Sequence, residues 1–223
     1  MNLLSSAWAI FIKDARSELR ARYALNALLM FVVTSVATIL FALRGEEPGS
    51  DTLSGMYWVV IFFTAMSGLS RIFVSEEERG TTMTLQLIAP LSAVYIGKLF
   101  FNCILTLLLS ASVTILYLLA FPSFAVGSPA VFAAAAFLGS LGFASAATII
   151  AAIISRANAK GTLYPVLSFP LLIPLFMTVI KATARALDGE AFSAALGEFQ
   201  ILVSYSVVLG TGAFLLFEYV WKE

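Results

Sequence analysis

Histidine is absent from this chain of 223 residues, cysteine occurs once, and charged residues make up only 12% of it. The missing histidine removes the commonest metal ligand and the commonest general base at neutral pH. Cys103, set in an apolar run, can build neither an internal disulfide framework nor a Cys-rich metal site, and reads as a packed thiol. Basic and acidic residues number 13 each, so no excess of positive charge marks a nucleic-acid groove. There is no G-x-x-x-x-G-K-[ST]: the one Gly-Lys pair, Gly97-Lys98, is followed by Leu99, and ATP phosphates have no cradle in this chain. H-E-x-x-H and G-x-S-x-G are missing too, and no carboxylate pair lies inside an apolar run, so no catalytic site is expected.

What the chain does contain is apolar. Hydrophobic residues make up 61% and the mean hydropathy is +0.98, which leaves too little polar surface to cover a soluble globule. The reading is a single all-α, polytopic membrane domain over residues 1–223. An amphipathic helix over about 3–20, with Leu4, Trp8, Phe11, Ile12, Ala15 and Leu19 opposite Lys13, Asp14, Arg16, Ser17 and Arg20, is expected to lie in the interface. The apolar run after it, about 24–43, is longer than a signal-peptide core and long enough to span. Further spans are expected at about 53–74, 99–121, 130–154, 161–180 and 199–217, the third and fourth joined by the breaker cluster from Pro122 to Pro129. Pro165, Pro170 and Pro174 in the fifth span are a possible hinge, or kinks that only shape the bundle. The segment 181–198 is expected to form short interfacial helices.

Basic residues give the orientation. With the N-terminus inside, Lys13, Arg16, Arg20, Arg22, Arg71, Arg79, Lys98, Arg156, Lys160 and Lys222 fall in inner segments, against Arg44, Lys181 and Arg185 outside. Both termini are therefore expected in the cytoplasm. Tyr57, Trp58, Tyr164, Tyr219 and Trp221 read as an aromatic belt at the two interfaces. Gly139, Gly142, Ala144, Ser145 and Ala146 read as a small-residue packing face, within the chain more readily than against a partner.

The inner loop between the second and third spans stands apart. It joins the cluster Glu76, Glu77, Glu78 and Arg79 to Gly80, Thr81 and Thr82, then to an amphipathic run through Leu85 with Met83, Leu87 and Ile88 on one side, and Pro90 ends it. Thr81 or Thr82 is expected to cap this short helix. A solvated charge run followed by an ordinary connector would look much the same from physics alone.

The acidic cluster, Gly80-Thr81, a Leu at Leu85, Pro90 and then Gly97-Lys98 together resemble the loop signature of ABC-2-type export permeases. Length, six-span layout, N-terminal helix and proline-bearing fifth span resemble the CcmB family, the permease subunit of the cytochrome c maturation haem exporter. That resemblance implies a coupling loop, Glu76 to Pro90, docking on a partner ATPase (CcmA) that supplies the ATP chemistry. It further implies a haem-handling membrane protein (CcmC), a small helper (CcmD), a haem chaperone (CcmE), a bacterial inner-membrane location, and haem export or release of haem to the chaperone. With no histidine, axial haem ligation by this chain is not expected, and haem is expected to be handled by the complex. Other readings are an ABC-2 permease for another amphipathic cargo, such as a lipid-linked saccharide or drug, and a membrane scaffold. A secondary transporter is disfavoured by the uncharged middles of the spans.

Overall fold

The computed structural model describes residues 3–20, 22–43, 45–69, 71–155 and 160–222. They form nine α-helices: α1 (Leu3–Arg20), α2 (Arg22–Leu43), α3 (Ser50–Leu69), α4 (Arg71–Glu78), α5 (Thr82–Ile88), α6 (Leu91–Ala120), α7 (Pro129–Ser155), α8 (Lys160–Leu187) and α9 (Leu196–Lys222). A single 3₁₀ turn, Phe192–Ala195, precedes α9, and no strand occurs among the described residues. Six helical stretches are long and apolar enough to cross a membrane: α2, α3 with α4, α6, α7, α8 and α9. An α-helix satisfies its own backbone hydrogen bonds, which is why uninterrupted apolar runs of this length become helices in lipid.

The helices outrun the apolar segments that mark them. α6, 30 residues and so about 45 Å long, begins at Leu91 rather than near Leu99. Its first two turns therefore carry Lys98 into the packed bundle and out of the loop where the charge count had put it. α8 continues to Leu187, so the first part of the segment expected to form short interfacial helices, 181–187, is the end of one long helix, closed by Gly189 at φ +75°, and a 3₁₀ turn and the start of α9 follow. The helix is unbroken through Pro170 and Pro174, and Thr178 Oγ1 donates to the Pro174 carbonyl at 2.9 Å. Pro165 falls in α8 as well, but its side chain lies outside the described residues, as do the cations Arg22, Arg44, Arg156, Lys160 and Lys222.

α7 is the central helix, packed against α6, α8 and α9, while α2 and α9 leave most of their apolar surface exposed. Its small residues serve this intrachain packing: a Cβ on Gly139 would sit 2.5 Å from the Trp58 ring and 2.6 Å from Val179. The aromatic belt is overturned for three of its members. Tyr57, Trp58 and Trp221 are fully buried, because each ring packs among other aromatics and the polar tips of the first two find partners inside the bundle. Tyr57 Oη shares hydrogen bonds with Ser110 at 3.0 Å and Thr114 at 2.9 Å, and Trp58 Nε1 donates to Thr183 at 2.9 Å. Tyr219 is exposed, and Tyr164 lies outside the described residues.

α1 is also turned from its expected pose. Its buried face is Ser6, Ala7, Ile10 and Asp14, while Leu4, Trp8 and Leu19 point outward. The outward stripe suits lipid, and the inward face suits close packing against α6. Far from α5, the loop 121–128 meets the turn after α8. The Ser128 amide donates to the Ala186 carbonyl at 2.8 Å, and a Cβ on Gly127 would lie 2.7 Å from Gly189 Cα.

Candidate functional site

α4, α5, α1 and the base of α6 converge at one end of the bundle. α4 ends because Gly80, at φ +65°, adopts the left-handed conformation that L side chains resist. The Thr81 amide then bonds the Glu76 carbonyl at 3.0 Å and the Gly80 amide bonds Glu77 at 3.1 Å, the paired bonds of a Schellman ending. That turn reverses the chain into α5. Thr81 and Thr82 do not cap α5 with their side chains as expected. Both reach back to α4 instead, Thr81 Oγ1 donating to the Glu76 carboxylate and Thr82 Oγ1 to Glu77 Oε2 at 2.9 Å. Charged acceptors make stronger bonds than backbone amides offer a hydroxyl, which accounts for the preference. α5 stops at Ala89, held extended by the ring of Pro90, and Pro90 opens α6.

Beneath α5 lies a charge quartet, three of its members buried and the fourth, Lys13, reaching the surface. Lys98 is 0% exposed, Asp14 7% and Glu76 8%. Lys98 Nζ stands 3.2 Å from Asp14 and 3.6 Å from Glu76, and donates to the Ile72 carbonyl at 2.9 Å. Lys13 pairs with Asp14 at 3.0 Å and with Glu76. Burial opposes the charge on Lys13, but Asp14 and Glu76 prevail and hold its ammonium above the usual lysine range. Two cations against two carboxylates leave the quartet neutral, the condition under which buried charges are tolerated. The ring of Phe73, 5.0 Å from Lys98 Nζ, adds a cation–π contact. α1 reaches this position because Gly97 has no side chain: a Cβ there would be 2.6 Å from the Ala7 carbonyl oxygen.

The residues read as a coupling loop thus divide. Glu76 faces inward into the quartet, Glu77 is half-buried, and Leu85 packs partly against the core. Glu78, Arg79, Gly80 and Thr81 are on the surface, with Met83 77% and Leu87 88% exposed. Thr82 is buried, and Gln86 donates to the Trp221 carbonyl, fastening α5 to α9. Sequence reasoning missed Lys13, Asp14 and Lys98 as one unit with Glu76. The signal available was a lysine directly after a glycine at the opening of an apolar run.

Over the quartet is an open-sided cavity of about 470 Å³ between α1, α4 and α5. Among the described residues no group of His, Cys, Asp and Glu suits a metal ion.

Comparison with curated proteins gives no match. A family model described as CcmB protein matches residues 5–216, nearly the whole chain, from the first turn of α1 through most of α9. With six membrane-length helices and an exposed amphipathic helix hung on a buried charge lock, the chain belongs to the CcmB family, and is a multi-pass permease subunit of a haem exporter in cytochrome c biogenesis.

Proposed function

We propose that this permease converts ATP hydrolysis on a partner ATPase, CcmA, into haem export or release of haem to the periplasmic chaperone CcmE, with CcmC and CcmD in the same bacterial inner-membrane assembly. Residues 1–223 act as one domain, with both termini and α5 on the cytoplasmic side. The observation that carries this reading is the pair of apolar side chains Met83 and Leu87, both left bare on α5. Leucine and methionine exposed at i and i+4 on a helix are the kind of anchor that fills a groove on a partner.

Force on α5 has a defined route inward. Thr81 and Thr82 tie α5 to α4, Glu76 ties α4 to Lys98 at the base of α6, and on α1 Asp14 holds Lys98 while Lys13 holds Glu76. A displacement of α5 is then passed to three helices at once. Pro170 and Pro174, which remove two backbone donors from α8, supply a compliant point toward which the bundle can yield, and Pro165 removes a third donor five positions earlier in the same helix.

Leu87→Asp is expected to weaken ATPase association by about 2 kcal/mol, or roughly thirtyfold, as for removal of an interface anchor. Protein level should be unchanged, since Leu87 supports nothing inside the chain. Copurification of the ATPase with the tagged permease and the yield of cytochrome c are the measurements. Normal copurification and full yield would remove α5 from the interface. Cys103→Ala, by contrast, is expected to leave cytochrome c yield intact, because the thiol is half-buried in α6 and acts as a small hydrophobe.

A further inference from the structure

We propose that the cavity between α1, α4 and α5 is a binding site for one anionic phospholipid of the cytoplasmic leaflet, with its phosphate on Arg71 and Arg79. Charge bookkeeping points there first. Lys13 and Lys98 are spent on Asp14 and Glu76, whereas neither Arg71 nor Arg79 meets a carboxylate within ion-pair distance among the described residues. Among the described residues the Arg79 guanidinium hydrogen-bonds the Ser17 hydroxyl, at 3.4 Å. The wall holds Lys13, Arg71 and Arg79 against Asp14, Glu18 and Glu76, and with Lys98 buried beneath it the site carries a net single positive charge.

The wall also holds Ile10, Ile72, Leu85 and Phe101, beside the hydroxyls of Ser17, Ser75 and Thr84 and the quartet's Lys13, Asp14 and Glu76. A ligand that satisfies both halves is an anion with a hydrocarbon body. Arg71 and Arg79 both line this cavity, and a guanidinium suits phosphate oxygens, which it can bind in a fork. α1 forms one side of the cavity and turns Leu4, Trp8 and Leu19 outward, so the opening lies at the level where an apolar helix face meets lipid. Basic pockets between helices at that level are where anionic headgroups collect. A lipid seated here would fill the space between α5 and α1 and so couple the docking helix to the membrane itself, independently of which ATPase α5 meets.

The test uses the intact complex, exchanged into nanodiscs of phosphatidylcholine mixed with phosphatidylglycerol and released into native mass spectrometry. Wild type is expected to retain one phosphatidylglycerol per permease chain. At about 1 kcal/mol for each cation, the Arg71→Gln, Arg79→Gln double variant should bind it about thirtyfold more weakly. Arg16→Gln, on the exposed side of α1 and away from the cavity, should retain it fully. Equal retention by the double variant, equal retention of phosphatidylcholine, or displacement of the lipid by added haem would each overturn the proposal, the last by giving the cavity to the cargo. ATPase copurification, measured on the same samples, separates failure of this site from failure of α5 docking.

Discussion

Lys98→Met is expected to lower the unfolding free energy of the detergent-solubilised chain by about 3–5 kcal/mol, the cost of leaving a buried partner charge uncompensated. The quartet is neutral with all four members charged, and loss of one member alone breaks that balance. Removing Lys98 leaves Lys13, which is partly exposed, facing both Asp14 and Glu76. Coulomb repulsion between two carboxylates in a poorly solvated site then has a single cation against it. The methionine matches the volume of the lysine stem, so the loss reports charge rather than a cavity. Two comparisons sharpen the result. Lys98→Met combined with Asp14→Asn restores neutrality, with Lys13 against Glu76, and should recover most of the loss, a coupling visible in a double-mutant cycle. Lys98→Arg should not rescue fully, because a planar guanidinium does not fit a slot shaped for an ammonium under the Phe73 ring. Denaturant midpoints of the three variants decide the matter. A Lys98→Met chain as stable as wild type would mean that the quartet contributes nothing to holding α1, α4 and α6 together.

Gly97→Val is expected to cost about 3 kcal/mol, near the upper end of the range for overpacking. The nearest atom to a new Cβ is the Ala7 carbonyl oxygen, at 2.6 Å, with Ile10 Cβ at 3.0 Å. Backbone cannot rotate aside as a side-chain terminus can, so α1 as a whole must shift off α6. That shift also lengthens the contact from Lys98 to Asp14, one residue farther along α6, and part of the quartet is lost with it. Gly210, in α9, provides the control: nothing lies within 4 Å of a Cβ built there, and Gly210→Val should stay within about 0.5 kcal/mol. Unfolding midpoints of the two variants are directly comparable, because both replace a helical glycine with the same side chain. Equal effects would mean that α1 does not rest on α6 through Gly97.

Composition and apolar run length carried the helical architecture, because six runs of that length have few other ways to satisfy their backbone in lipid. The breaker cluster 122–129 was legible for the same kind of reason, since Pro fixes φ wherever it stands, whereas the left-handed turn at Gly80 came from the structure. Charge was the misleading signal. Lys98 was counted as a loop cation because lone lysines in apolar helices are rare, and only its partners on α1 and α4 make the burial tolerable. Those partners lie 84 and 22 positions away in sequence, beyond the reach of any local pattern. Asp14 was assigned to the solvated side of α1 because amphipathicity separates polar from apolar faces and does not say which of the two meets protein. Tyr57, Trp58 and Trp221 were assigned to the lipid boundary by residue type alone, while their polar tips and ring contacts belong to the bundle interior.

The meeting of Gly127 with Gly189, at the end of the bundle away from α5, limits the kinds of motion open to this permease. Two backbones in contact without an intervening side chain tolerate rotation about their point of touch but very little translation. A one-turn slide of α8 along α7, about 5.4 Å, would part them and break the bond from Ser128 to Ala186. The contact therefore acts as a pivot. On the proposed coupling through α5, the movement expected is angular change, largest at the α5 end and smallest at the glycine pair.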